Sequence, residues 1–263
     1  MNFLEKNRFL RKKKKRSKLT ILFLLLLFTS ISNAQVINIE SRRFLHDTDG
    51  WVGKVEANFS AVQNIQQVIT VGCNVHAQYQ KNRHRFLEIS DLAFVKAGNK
   101  DFVNSGYQHF RYNYKINNWI TGEAFVQAQY NKALLLDERY LAGAGPRFKL
   151  WKREHFRCYF AALYMYEYEW RNNYKIENEN DRLSSYLSFS LFYPKFDITS
   201  TTFYQPNLGY IDDYRIANDT SLEILLTNKF NFKMGLILLY DTRQPPGVPD
   251  LTYAVRNGIS YKF

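Results

Sequence analysis

From Trp51 onward the chain repeats one pattern: short segments in which apolar and polar residues alternate. Trp51, Val55, Ala57 and Phe59 oppose Lys54, Glu56 and Asn58. Val71, Cys73, Val75, Ala77 and Tyr79 oppose Asn74, His76 and Gln78. Phe110, Tyr112, Tyr114 and Ile116 oppose His109, Arg111, Asn113 and Lys115, and Ala124, Val126, Ala128 and Tyr130 oppose Glu123, Gln127 and Gln129. Further on, Phe230, Phe232, Met234, Leu236, Leu238 and Tyr240 share a face; Asn231, Lys233, Gly235 and Asp241 lie on the other with Ile237 and Leu239. A period of two sends successive side chains to opposite faces of a sheet. Twelve strands are expected, near 51–61, 68–80, 86–96, 107–116, 120–131, 140–150, 156–169, 182–192, 196–206, 214–226, 230–241 and 252–263. Ten or fourteen are the alternatives. The third is the least regular, because Asp91 shares a face with Leu87 and Ile89.

The connections add a second rhythm. Asn117-Asn118, Tyr193-Pro194-Lys195 and Thr227–Lys229 read as tight turns, whereas 97–106, 171–181, 207–213 and 242–251 read as long polar loops. Short turns at one end and long loops at the other are the habit of outer-membrane barrels. In lipid every backbone N–H and C=O must pair internally, so a sheet persists there only as a barrel. About ten residues per tilted strand suffice. The expected fold is therefore all-β, an antiparallel transmembrane β-barrel of about 12 strands. A soluble β-sandwich also alternates. Aromatic-rich apolar faces in nearly every strand, the loop rhythm and the start of the chain weigh against it.

That start is a basic cluster (Lys12 to Lys15, Arg16, Lys18), an apolar run from Leu19 to Phe28 and small residues up to Ala34. This is the order of a cleaved signal peptide, and the run is half the length that a membrane-spanning helix needs. The expected organisation is a signal peptide over 1–34, a periplasmic lead-in over 35–50 and a barrel over 51–263; Val36–Phe44 is assigned to the lead-in because that keeps the strand number even. Nine of the 36 Lys/Arg and one of the 24 Asp/Glu lie in 1–34, leaving 27 against 23, a formal +4. The basic balance is thus mostly the leader's and gives no reason to expect nucleic acid as a partner. Cys73 and Cys158 fall on lipid-facing rows of the second and seventh strands, on nearly opposite walls, too far apart for a disulfide.

The last strand, with Gly258, Tyr261 and the final Phe263, resembles the C-terminal signal read by the barrel assembly machinery. A wider resemblance runs through Gln108–Tyr114, Gln127–Asn131, Gly143–Phe148, Tyr164–Glu169, Ser200–Pro206 and Asp213–Arg215. These stretches resemble the family of salt-induced outer-membrane proteins, a domain family of unknown function. The resemblance implies a barrel in the bacterial outer membrane, with lipid and the assembly machinery as partners, and carries over no catalytic or ligand residue.

Candidate chemistry is confined to the polar rows. Lys54, Glu56, His76, Arg111, Glu123, Arg147 and Arg256 are lumen candidates, alongside Lys149, Glu223 and Lys233. Glu167, Glu169, Asp213, Arg215, Asp241 and Arg243, with Asp212, are expected at the outer rim, either as solubilising charges or as a site for a divalent cation or cationic solute. His46, His84, His109 and His155 lack metal-ligand spacing, and no cofactor is expected. A turn centred on Arg83 would set His76 opposite Ser90 with Glu88 alongside, the components of a lipid-active barrel hydrolase, but no nucleophile elbow accompanies them. The expectation is a non-enzymatic barrel: a narrow pore for ions or small solutes, or a structural, envelope-stress barrel with a plugged lumen.

Overall fold

The structure, a computed structural model, describes residues 49–63, 67–98, 100–171, 176–227 and 230–261. The leader over 1–34, the lead-in up to residue 48, and Phe263 lie outside the described residues.

Twelve strands follow one another in the sheet in chain order, every neighbour antiparallel. They are β1 (Gly50–Gln63), β2 (Gln67–Lys81), β3 (His84–Ala97), β4 (Lys100–Lys115), β5 (Ile120–Asn131), β6 (Leu136–Lys152), β7 (Phe156–Arg171), β8 (Ile176–Tyr193), β9 (Phe196–Pro206), β10 (Tyr214–Leu225), β11 (Phe230–Asp241) and β12 (Leu251–Tyr261). The sheet rolls into a barrel wall: side chains of β5 and β8 meet across the interior, as do those of β7 and β10. Among the described residues no pairing joins β12 to β1, and β1 is exposed along almost its whole length.

The period-two reading holds along the wall. On β4, Phe110 and Tyr114 face outward while His109, Arg111 and Asn113 are buried inside. Outward aromatics collect near both strand ends. Trp51 against Tyr79, and Tyr193 against Phe196, lie near the end that carries the first and last residues of the sheet. Tyr140 against Tyr168, and Tyr204, Tyr214 and Tyr240 in sequence, lie near the opposite end. Two aromatic girdles around an apolar band are what a barrel presents to the two interfaces of a membrane.

Two expectations need correction, the loops at 100–106 and 176–181 and the β2–β3 turn, while the irregular third strand forms as expected. Residues 100–106 and 176–181, expected in loops, are strand. The outward residues of β8 there are Glu177, Glu179 and Asp181, so the apolar alternation that marks a strand is lost. The two long connections that remain are 207–213 and 242–250, both at the end away from the sheet's first and last residues; we call it the loop end, and the other the terminal end. On β3 the mixed row of Leu87, Ile89 and Asp91 faces inward, where Leu87 and Ile89 pack with Tyr107. Finally, the β2–β3 hairpin turns on two residues, Asn82-Arg83, with Asn82 at φ 55°. His76 therefore pairs with Ile89, not Ser90. A one-residue change in register moves a whole row to the other face, so His76 points inward while Ser90 points out and donates to Glu88 Oε1 at 2.5 Å. The hydrolase constellation is not assembled. Both cysteines are free; Cys73 is half-buried, and Cys158 is buried on the same row as outward-facing Phe160.

Candidate functional site

The inward rows fill the lumen in three layers. The first lies toward the loop end. Glu167 and Glu169 come from β7, Arg215 from β10 and Asp241 from β11, and Asp213 immediately precedes β10. Three further cations join them: Arg139 from β6, Arg171 from β7 and Arg182 from β8. Arg182 reaches Glu167 at 3.1 Å and Asp213 at 2.9 Å. Arg215 contacts Glu167 directly, Asp241 at 2.7 Å and Glu169 at 3.3 Å. Arg139 Nε donates to Glu169 Oε2 at 2.8 Å, and Arg171 Nε to Glu169 Oε1 at 2.5 Å. Arg171 also donates to the Leu134 carbonyl at 2.8 Å, tying the network to the short 3-10 turn Lys132–Leu134 between β5 and β6. Four guanidinium groups thus face four carboxylates, and no side chain among them is more than 12% exposed.

The expected rim cluster is therefore brought together, but inside the barrel and engaged by arginines. Its carboxylates accept from guanidinium groups instead of presenting a cluster to a divalent cation. Two of the rim candidates stay outside the network. Asp212 is exposed, and Arg243 stacks over Tyr210 at 5.0 Å while its backbone N–H donates to Asp241. Sequence reasoning missed Arg139, Arg171 and Arg182. Arg171 was within reach, two residues beyond Glu169 on the same row. Arg182 needed the register that sets it beside Met165.

The middle layer is apolar. Phe125, Leu163, Met165, Tyr186, Phe203 and Leu239 are buried together, so side chains from β5, β7, β8, β9 and β11 meet across the interior. The motif Gly143-Ala144-Gly145-Pro146 on β6 makes room for them. A Cβ at Gly143 would stand 2.6 Å from the Phe125 ring, and one at Gly145 would stand 2.3 Å from the Ala162 carbonyl oxygen. A cavity of about 60 Å³ lies beside this layer and one of about 10 Å³ beyond it.

The third layer lies toward the terminal end and centres on Glu123. Its carboxylate accepts three hydrogen bonds: from Arg111 Nη1 at 2.8 Å, from Asn113 Nδ2 at 2.7 Å and from the Tyr186 hydroxyl at 2.8 Å. Arg147 stands 3.7 Å away and stacks on Tyr159 at 3.8 Å. Arg111 Nε donates to His109 Nε2 at 3.3 Å, which leaves His109 Nδ1–H to donate to Gln127 Oε1 at 3.0 Å. That tautomer follows from the hydrogen-bond network.

Of the other lumen candidates, Lys54 and Glu56 pair with each other at 2.5 Å on exposed β1. His76 is half-buried on the inner row of β2, and Arg256 is exposed on β12. Gly258 and Tyr261 pair with Lys233 and Phe230. The described residues hold no group of three or more His, Cys, Asp or Glu able to bind a metal.

An apolar, girdled exterior around an interior that carries the buried charged and polar groups defines a membrane β-barrel of the outer-membrane kind. The chain belongs to the family described as "Protein of unknown function, DUF481", whose model matches residues 66–263. Among curated proteins none matches it. Solved structures with some likeness include the NanC porin in a rhombohedral crystal form, at 10% identity and a TM-score of 0.45, covering 74% of this chain and 94% of that one. The KdgM porin matches at 12% identity and a TM-score of 0.41, covering 81% and 99%. Its complex with disordered oligogalacturonate matches at 12% and 0.40, covering 79% and 98%.

Proposed function

We propose that this chain is a pore-like barrel of the bacterial outer membrane whose passage is shut by its own side chains. The observation that carries the reading is the filled middle layer. Six large side chains meet across the lumen there, and the adjacent voids of about 60 and 10 Å³ have room for a few waters and no solute. Twelve strands lie between the eight that side chains fill and the sixteen that leave an aqueous channel, so closure depends on which residues point inward. Here they are large. The aromatic girdles support a membrane setting, and the long connections at the loop end support an outward orientation for that end.

The test is current across a planar lipid bilayer containing the folded protein. No unitary steps are expected at moderate voltage, and stable steps from the unaltered protein would refute closure. A gated pore is the second reading. It is favoured by the make-up of the loop-end layer, whose closing groups are ion-paired side chains able to exchange partners. Under that reading, once Phe203→Ala also widens the middle layer, Glu167→Gln with Glu169→Gln opens a conductance that the unaltered protein lacks.

A further inference from the structure

The outward row of β3 reads Phe86, Glu88, Ser90, Leu92 and Phe94, which places a carboxylate on the apolar face of the wall. Phe86 packs against Tyr79 and Tyr112 near the terminal end, and Glu88 stands one step further toward the middle of the wall. Its cross-strand neighbours are Ala77 and Phe110. Ser90 donates to it at 2.5 Å, and the exposed Gln108 is the cross-strand neighbour of Ser90 on β4. Lipid tails offer a carboxylate no hydrogen-bond donor, so an ionisable group among apolar ones on a membrane face is costly unless a partner meets it. A groove adjoins this polar patch on its β5–β6 side. It is shallow, measures about 440 Å³ and includes Gln108 in its lining. Ala128 and Ala142 leave the space, between Phe110 on one side and Tyr140 and Tyr166 on the other. On the β3 side of the patch, Phe86 and Leu92 stand about half exposed.

We propose that this face is where two copies of the chain meet in the membrane, with Glu88, Ser90 and Gln108 of each pairing with the same patch on the other. Two arguments choose a second copy. The first is that the patch carries its own complement. The carboxamide and hydroxyl donate, and the carboxylate and the carboxamide oxygen accept. The second is shape. Two faces in contact see each other reversed left to right. A two-fold axis along the membrane normal, passing through the patch, therefore sets β3 of one copy against β5 and β6 of the other. Phe86 and Leu92 of each copy then lie over the groove of the other, the reciprocal contact that an isologous dimer requires. Small residues that admit close approach, and polar side chains that bond across it, are what hold protein surfaces together within lipid. An acyl chain would fill the groove but give Glu88 and Gln108 nothing to bond. The proposal rests on the membrane setting and stands whether or not the lumen conducts.

Energy transfer between donor- and acceptor-labelled copies of the intact protein, folded into lipid vesicles, tests it. Transfer is expected to persist on dilution with lipid and to fit a dimer. Ala142→Trp fills the groove and should weaken association at least tenfold, and Glu88→Leu should weaken it severalfold. Leu187→Trp, at an exposed outward position on β8, should leave it within twofold. In a Cys73→Ser, Cys158→Ser background, Gln108→Cys should give a disulfide-linked dimer under mild oxidation, and Leu187→Cys should not. Heat-dependent gel mobility of every variant reports barrel folding separately from association. A monomer at every protein-to-lipid ratio would leave the groove to acyl chains and overturn the proposal. So would transfer that fits a larger assembly, no loss from Glu88→Leu, equal losses from Ala142→Trp and Leu187→Trp, or equal cross-linking through the two cysteine variants.

Discussion

Glu167→Gln is the most demanding perturbation of the loop-end network, and its cost follows from the contacts. The Glu167 side chain is wholly buried and faces Arg182 at 3.1 Å, Arg139 at 3.7 Å and Arg215 in direct contact. Gln keeps the size and one carbonyl oxygen but removes the charge, leaving four guanidinium groups against three carboxylates. Breaking a buried pair by removing one partner typically costs about 3–5 kcal/mol, because the other charge stays buried without compensation. With a urea dependence of about 2.5 kcal/mol per molar, the unfolding midpoint in lipid vesicles, followed by tryptophan fluorescence, should fall by about 1–2 M. Pairing the change with Arg182→Gln restores equal numbers of each sign. The double variant should then be less destabilised than the sum of the singles by about 1–3 kcal/mol, the coupling seen between residues of one network. Glu223→Gln is the control. Its partner Lys233 lies at 3.2 Å, but both side chains are at least 40% exposed, and the cost should stay below about 1 kcal/mol. A loss for Glu167→Gln no larger than the control's, with additive behaviour in the double variant, would refute the argument that burial makes this network count.

Other consequences are more local. Gly145→Ala places a methyl against the β7 backbone and should cost about 1–3 kcal/mol by the same urea assay, the range for an overpacked site. Asn82 holds φ 55° in a two-residue turn, so Asn82→Gly should be tolerated, while Asn82→Val should cost about 1–2 kcal/mol and slow refolding. All four tryptophans, Trp51, Trp119, Trp151 and Trp170, lie near strand ends, so lipids brominated near the headgroup should quench their emission more than lipids brominated at the acyl terminus.

The wall was legible in the sequence because its outer face is apolar and its inner face largely polar. Wherever Phe110, Tyr112 and Tyr114 alternate with His109, Arg111 and Asn113, the period of two identifies both strand and facing. Legibility fails where that contrast fades. At the outer end of β8, Glu177, Glu179 and Asp181 face outward opposite inward Arg182, and a strand polar on both faces reads as a loop. The hairpin at Asn82-Arg83 shows a second limit. One residue of turn length decides whether His76 meets Ser90 or Ile89, and alternation carries no information about turn length. Arg111, Glu123 and Arg147 could be assigned to the interior individually. That Tyr186, three strands away from β5, would reach Glu123 depends on how tightly the sheet rolls, which no local pattern encodes.

The same loss of contrast suggests what the buried charges contribute beyond closure. Register is strongly specified where one face is apolar and weakly where both are polar. The outer part of the β7–β8 pairing is of the second kind. Arg182 supplies what the pattern lacks there, because it reaches Glu167 on β7 and Asp213 beside β10 from one position. A one-residue slip of β8 would turn its guanidinium outward and leave both carboxylates short of a partner. Arg182→Leu should therefore do more than destabilise: it should loosen the pairing of 176–182 with 165–171 specifically. Amide hydrogen exchange in that hairpin should accelerate at least tenfold relative to the β4–β5 pairing, whose register the outward Phe110 and Val126 already fix. Uniform acceleration across both hairpins would mean that Arg182 adds stability without specifying register.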